Sequence, residues 1–562
     1  MRGRAFFGVG ALGLVCACSL PGRVGLHGPL TLRILHSSDV HSHLFEEPLA
    51  IGDADATRGL GALGEVTRVG GAARLSTALG AARLGQTRTL YLDSADFFEG
   101  GATFPIFQGE PELRVASALG LDAATVGNHD FALGSAGLAA AHRAFASFPL
   151  LAANYEADAG SPLSRELAPW AILNADGLSV GVIGVGYPID SAGRVDGTDA
   201  SGVTGVATAD AVQAAIDWLS PSADLIVALT HQGLDADQAL IANTSGLDVV
   251  LGGHQHIVTN GALSLLDCGS RLKTGRGCTP RPVTLMHSGA FARYLGVLDL
   301  ALDDGPQVLS ANLGFEVASA KQTVVPLSAA VEQDAAVVSL LEPYRGRLEA
   351  LGYGDAIAFA LGDVTRVPAT GGESALGNLT CDAILATSRA DFAIINGSGL
   401  RGDLASGVWT REDVVRALPF TDPITVIWLT GSEFLALLEE QAAGASDCQA
   451  PLQIAGFELT IDCAGAVCSG PACSPHGTLQ VTKLGRPIDP DGVYSLATTA
   501  YLANGGNGFE LLSGTAAGEV FEDTPETALI DRVAAFAACA ASSLPCVDPA
   551  TLLDGRLVMR GG

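Results

Sequence analysis

A chain of 562 residues exceeds what a single hydrophobic core supports, and two large domains are expected. Hydrophobic residues make up 48% and charged residues only 16%, with 70 glycines, which excludes a disordered chain and points to a globular, loop-rich one. A net charge of −29 excludes broad attraction to nucleic acid polymers, so an anionic ligand needs local positive charge from bound metals or a few arginines.

Residues 1–22, "MRGRAFFGVGALGLVCACSLPG", carry Arg2 and Arg4, then an apolar run too short to span a bilayer, then small residues. This is the pattern of a secretory signal, set apart from the fold. Within it "VCACS" resembles a bacterial lipoprotein cleavage box, with Cys18 as the residue to be lipidated; ordinary cleavage without a lipid is the alternative. The expected location is the periplasm or outer membrane of a bacterium. No later stretch has the apolar length of a transmembrane helix. Export permits disulfides, and Cys268 with Cys278, Cys539 with Cys546, and the group Cys448, Cys463, Cys468 and Cys473 are close enough in sequence to form them. A zinc site in the four-cysteine group is the competing reading. Cys381 is left free.

Residues 31–300 alternate short apolar runs with Ala/Leu-rich helical stretches, the pattern of an α/β layered domain. The strand-like runs are "TLRILHSSD", "TLYLDSAD", "AATVGNHD", "SVGVIGVG", "LIVALTHQG", "DVVLGGHQH" and "VTLMHSG". Several end in Asp, Asn or His. In open α/β sheets ligands collect at the carboxyl ends of strands, so these endings are expected to converge. Residues 319–352 are taken as a connecting helix, its amphipathic part over 327–350 and bent near Pro343. The following region holds helix-like "ESALGNLTCDAILATS", strand-like "ADFAIINGSG" and "ITVIWLTG", and a Gly-rich "LANGGNGFE" loop.

The strand-end residues of the first region are Asp39 and His41 in "SSDVHSH", Asp96 in "LDSADFFEG", Asn128 and His129 in "VGNHD", His231 in "LTHQG", and His254 and His256 in "GGHQH". A bridging carboxylate with His, Asp and Asn ligands is what two divalent transition ions about 3.5–4 Å apart require. A lone Asp-x-His is usually a loop feature. Five such motifs in order, each closing an apolar run, are not. Two cations would make hydroxide available near neutral pH for in-line attack on phosphorus and would neutralise phosphate oxygens. His129 can then face a developing charged oxygen, with Asp130 holding its ring. His43 has no assigned role and is placed at the surface or behind the ligands.

The order and wording of these motifs resemble the calcineurin-like metallophosphoesterases, and within them the secreted bacterial 5′-nucleotidase and UDP-sugar hydrolase family, over about residues 30–535. The resemblance implies a four-layer α/β/β/α metallophosphoesterase domain at 30–318, followed by a second α+β substrate-binding domain at 353–562. It also implies that Asp39, His41, Asp96 and His256 hold one metal and Asp96, Asn128, His231 and His254 the other, with Asp96 as the bridge. Zn, Mn, Co or Fe all suit such donors. One departure is Ala95, where the family more often has Gly.

"ESALGNLTCDAIL", "NGSGLR", "LPFTDPITVIWLTG" and "YLANGGNGF" resemble, in order, stretches of the 5′-nucleotidase C-terminal domain. Carried over by position, Phe420 and Tyr501 would form an aromatic sandwich for a nucleotide base, while Asn396 and Arg401 would supply polar contacts. Asn507 stands where the family has Asp, so the carboxylate that would accept ribose hydroxyls is an amide. "PATGGES" also lacks the arginine that some nucleotidases place before the "ES" motif. The expected activity is hydrolysis of a nucleotide phosphate ester or pyrophosphate. The rivals are a 2′,3′-cyclic-nucleotide phosphodiesterase, a thiosulfohydrolase-like enzyme and a catalytically weak surface-binding protein.

Overall fold

The computed structural model describes residues 26–560 apart from 191–192, 197, 271–276, 305–314, 368–370, 444–449, 463–466, 469–472, 475–478, 516 and 541. The leader with Cys18 lies outside the described residues, as do the side chains of the four-cysteine group. Cys268 and Cys278 are joined, as are Cys539 and Cys546, and Cys381 is free and buried.

All seven apolar runs of the first region contain strands. Leu30–Ser37 lies between Thr89–Asp93, which is parallel to it, and Tyr294–Asp304, which is antiparallel. Ala123–Ala124, Leu150–Leu151 and Leu167–Ala168 extend this sheet on one side and Phe315–Pro326 on the other. A second sheet sets Leu178–Val185, Leu225–Thr230, Val249–Gly252 and Pro282–His287 in parallel, with antiparallel Trp170–Ala175 and Leu263–Leu266 at its edges.

The two-residue period of a strand sends alternate side chains to opposite faces, and here both faces are covered. Leu32 and Ile34 pack with Val180, Val182, Val227 and Val249 between the sheets. Leu35 joins the other core, with residues of the helices Ala72–Arg83, Glu110–Ala118 and Gly134–Phe145. The helices Thr208–Leu219 and Leu234–Asn243 cover the outer face of the second sheet. The result is a helix, sheet, sheet, helix stack.

The connector differs from the expected single helix. Phe315–Pro326 is a strand paired along Tyr294–Asp304, because "FEVASAKQTVVP" has the alternating β pattern. The helix is Ala335–Ala350, with Pro343 inside it and Asp334 as its N-cap, accepting from the Ala336 N–H. Beyond it, a five-stranded sheet places Phe392–Asn396 between Leu452–Ala455 and Val493–Thr499, followed by Ile424–Thr430 and Ala517–Val520. The helices Ala375–Ser388 and Pro525–Ala534 pack on it through Leu376, Leu379, Leu529 and Val533.

His43 is buried, paired with Glu47, and its ring lies 4.7 Å from that of Phe291. Arg416, on the helix Arg411–Ala417, brings its Nε to 3.7 Å from Glu47 Oε2 and so ties the second region to the first. Burial alone would raise the Glu47 carboxyl, but His43, Arg293 and Arg416 hold it at about 2, below its ordinary 4.5. A depressed carboxylate adds stability above pH 4.5 that is lost as the pH falls toward 2. Glu47→Gln is expected to lower stability at about pH 7 by roughly 3 kcal/mol and to flatten the acid limb. Urea unfolding across this range checks it; a variant that tracks the wild type at every pH refutes it.

Candidate metal centre and substrate cavity

The expected donors leave the strand ends and meet. Asp39 follows Leu30–Ser37, Asp96 follows Thr89–Asp93, Asn128 follows Ala123–Ala124, His231 follows Leu225–Thr230, and His254 and His256 follow Val249–Gly252. Each loop must turn sharply there. Asp39, His41, Asp96, His254 and His256 all have left-handed backbones, with φ between 49° and 79°. Non-glycine residues rarely adopt that conformation, and it concentrates where function over-determines the structure. Ala95 has φ 70°, so its methyl sits on left-handed backbone at a cost of about 1–2 kcal/mol, which a Gly there would avoid. Gly127 is required by close approach: a Cβ on it would lie 2.0 Å from Asp96 Oδ1.

Asp96 is the shared carboxylate and His41 the shared histidine. Asp96 groups with His231 and His254 on one side and with His41 and His129 on the other, while Asp39, His41 and His256 form a third group. Asn128 joins through Oδ1, 3.2 Å from His254 Nδ1.

The donors fit divalent cations. His41 Nδ1 faces the Glu99 carbonyl at 3.0 Å and His231 Nδ1 the Ser94 carbonyl at 2.6 Å, so each ring donates there and turns a lone pair on Nε2 inward. Those lone pairs meet other acceptors. His41 Nε2 is 3.0 Å from His256 Nε2, and buried His231 Nε2 is 2.9 Å from Asp96 Oδ2 without hydrogen-bond alignment. Burial pushes the His254 imidazole down to about 3, leaving it neutral, and lifts the Asp39 carboxyl to about 6. Crowded, buried nitrogen and oxygen donors of this kind are what two transition-metal ions satisfy.

Asp130 does not hold His129, contrary to the sequence expectation. Its carboxylate accepts from the backbone N–H groups of Gly127, Phe97 and Asp96 at 2.8, 2.9 and 3.1 Å, which fixes the turn. The carboxylate on the His129 ring is that of Glu99, whose Oε2 lies 2.7 Å from Nδ1. Burial opposes the charged form of His129, yet Asp96 and Glu99 raise its pKa above the ordinary value.

A cavity of about 370 Å³ opens over these residues, and the second region forms its other wall. Arg401 reaches across to place Nη2 3.3 Å from His129 Nε2, and it is the one Arg or Lys among the described residues lining the cavity. Phe420 stacks on the His129 ring, with centroids 5.4 Å apart and planes 15° apart, and Arg401 lies over its face. Tyr501 lines the opposite part and donates its hydroxyl to Asp196 Oδ1 at 2.8 Å. Asn396 Nδ2 donates to Ser398 Oγ, and Ser398 donates in turn to Asn507 Oδ1 at 3.2 Å. The amide oxygen of Asn507 is therefore engaged within the wall.

Three cavity residues escape sequence reasoning. Glu99 stands in the same "SADFFEG" stretch as Asp96, and its acid before Gly100 is the available signal. Asp196 accepts from both Tyr501 and Asn128, the latter at 3.2 Å, and nothing in its loop marks it. Asp422 is half-buried near Glu99, and desolvation pushes its carboxyl up to about 7.

The sequence matches the calcineurin-like phosphoesterase family over residues 32–258 and the 5′-nucleotidase C-terminal domain family over residues 356–514. It is 26% identical over 512 residues to the 5′-nucleotidase of Mus musculus, covering 86% of this chain and 84% of that one. It is 24% identical over 539 residues to the trifunctional nucleotide phosphoesterase YfkN of Bacillus subtilis, covering 87% of this chain and 33% of that longer protein. Among solved structures, the 5′-nucleotidase precursor of Thermus thermophilus superposes with a TM-score of 0.78 at 24% identity, over 95% of this chain and 100% of that one. The sulfate thiohydrolase SoxB, also from Thermus thermophilus, superposes with a TM-score of 0.69 at 17% identity, over 93% and 96%. These last two likenesses are of fold. With both families matched in order and the donors of a two-metal centre drawn together, the chain joins a calcineurin-like phosphoesterase domain to a 5′-nucleotidase C-terminal domain, the make-up of a metal-dependent hydrolase of phosphoric esters.

Proposed function

We propose that the protein is an exported nucleotidase that removes phosphate from a nucleoside 5′-monophosphate or cleaves a nucleotide pyrophosphate such as a UDP-sugar. The observation that carries this is the cavity itself. One wall is the His and Asp cluster, and the other offers Arg401 for an anion and the rings of Phe420 and Tyr501 for a flat heterocycle. Rings suited to a base have no use for a sulfur-carrier substrate, which disfavours a thiosulfohydrolase role.

In this reading Asp39, His41, Asp96 and His256 hold one ion, and Asp96, Asn128, His231 and His254 the other. When bound, two divalent ions polarise the phosphate and lower the pKa of the attacking water. Arg401 neutralises a phosphate oxygen with a planar pair of donors. His129, its Nε2 directed toward Arg401 and the cavity, meets the leaving oxygen and, as the imidazolium that Asp96 and Glu99 favour, gives it a proton. Asn507 offers its NH₂ to a ribose hydroxyl, since Ser398 already uses its oxygen. The metallophosphoesterase domain is taken as 30–318 and the substrate-binding domain as 353–562. The leader supports export to the periplasm, with a lipid on Cys18 as anchor; no helix among the described residues is long and apolar enough to cross a membrane.

The deciding experiment follows hydrolysis products with added Mn²⁺, beside an EDTA control: adenosine and phosphate from AMP, UMP and glucose 1-phosphate from UDP-glucose, and a nucleoside monophosphate from a 2′,3′-cyclic nucleotide. Turnover of AMP or UDP-glucose that EDTA abolishes is expected; no turnover of any of the three would defeat the nucleotidase reading. Tyr501→Ala is expected to raise KM for AMP about tenfold to 10²-fold, the worth of one base stack, with a smaller effect on kcat. An unchanged KM would remove Tyr501 from base recognition.

A further inference from the structure

Glu99 occupies an unusual position. Its backbone is left-handed, with φ 57°, and the following Gly100 has φ 118°. A Cβ at residue 100 would lie 2.5 Å from the His41 carbonyl oxygen, so the glycine lets this segment press against the His41 loop. Two histidines then converge on Glu99: its carbonyl faces His41 Nδ1 at 3.0 Å, and its carboxylate takes His129 Nδ1 at 2.7 Å. The side chain is only 13% exposed, so the pair is shielded from water.

The acid adjacent to His129 in sequence is committed elsewhere, since Asp130 is held by three backbone N–H groups. On the far side the ring stacks on Phe420, and Nε2 faces Arg401. A ring gripped at Nδ1 by a carboxylate has its proton fixed there and its Nε2 aimed one way.

We propose that Glu99 is the positioning residue for His129, fixing the Nδ1–H form of the ring and aiming Nε2 at the phosphate site between the metal centre and Arg401. Through its carbonyl the same residue orients His41, so the left-handed turn at 99–100 sets the metal donor and the acid–base group in register. Glu99 touches neither phosphate nor metal; it acts through the two rings.

The role rests on His129 serving the hydrolysis proposed above, so the test pairs kinetics with a readout that needs no turnover. Glu99→Gln keeps the shape, and Glu99→Ala removes the acceptor. With metal content measured alongside, both are expected to lower kcat about tenfold to 10²-fold, Ala more than Gln, with KM within about threefold and bound metal unchanged. In ¹⁵N-histidine-labelled, zinc-loaded protein, the His129 Nδ1–H resonance, assigned by its loss in His129→Ala, is expected to vanish in Glu99→Ala and persist in Glu99→Gln. Overturning results are kcat in both variants within about threefold of the wild type, a resonance unchanged in Glu99→Ala, or a loss of bound metal that accounts for the lost rate. If the wild type hydrolyses no nucleotide, the nucleotidase reading fails while the resonance still decides whether Glu99 holds His129.

Discussion

Asp96→Ala is expected to abolish hydrolysis, with a loss of at least about 10³-fold, and to bring bound metal below two ions per chain. Among the described residues, Asp96 is the one carboxylate that belongs to two donor groups. Its Oδ2 lies 2.9 Å from His231 Nε2 and 3.6 Å from His41 Nε2, while Oδ1 accepts the His129 N–H at 2.9 Å. Removing it frees the ring of His231, leaves His41 facing His256, and untethers the turn that carries Asn128 and His129. Metal analysis after gel filtration, run beside phosphate release, reads both effects. A variant that retained two ions and substantial turnover would show that Asp96 does not bridge.

The second large effect is expected at His129, and of a different kind. His129→Ala should lower kcat about 10²–10⁴-fold, the usual worth of a placed acid–base group, while bound metal and KM stay near wild type. The physical ground is position: His129 is adjacent in sequence to a proposed ligand, but its ring is occupied by Glu99, Phe420 and Arg401. A fall in metal content equal to the fall in rate would make His129 a ligand and displace it from the acid–base role.

The two variants together separate metal holding from proton handling. Asp96→Ala should lose both metal and rate, and His129→Ala rate alone. The Glu99 variants should follow His129→Ala in direction at smaller size, because a ring without its carboxylate still reaches the site part of the time.

Much of this protein is legible in the sequence because strand ends are local. "TLRILHSSD", "TLYLDSAD" and "LIVALTHQG" each show an apolar run and then a donor, and period and composition suffice to place Asp39, Asp96 and His231 at the carboxyl ends of strands. The helix, sheet, sheet, helix layering follows from the same runs being apolar on both faces. The alternation of the edge strand Phe315–Pro326 is local, but its pairing with Tyr294–Asp304, which ends the first sheet there and leaves the helix to begin only at Ala335, is a long-range fact.

Roles that depend on side-chain direction are not legible. Asp130 and Glu99 are both acids near His129, and sequence distance favours the wrong one: Asp130 is adjacent, while Glu99 is separated by 30 positions. Only the folded turn decides, because Asp130 points back into three backbone N–H groups while Glu99 points at the ring. Asp196 and Arg416 are likewise invisible until the second region docks on the first and gives them partners. Which donors the chain owns, and which strand ends carry them, is written in short stretches, since hydrophobic periodicity and residue chemistry are local properties. Which carboxylate meets which histidine, and how Arg401 and Phe420 cap the centre, is settled only by folding, since those contacts depend on ångström-scale distances between segments far apart in the chain.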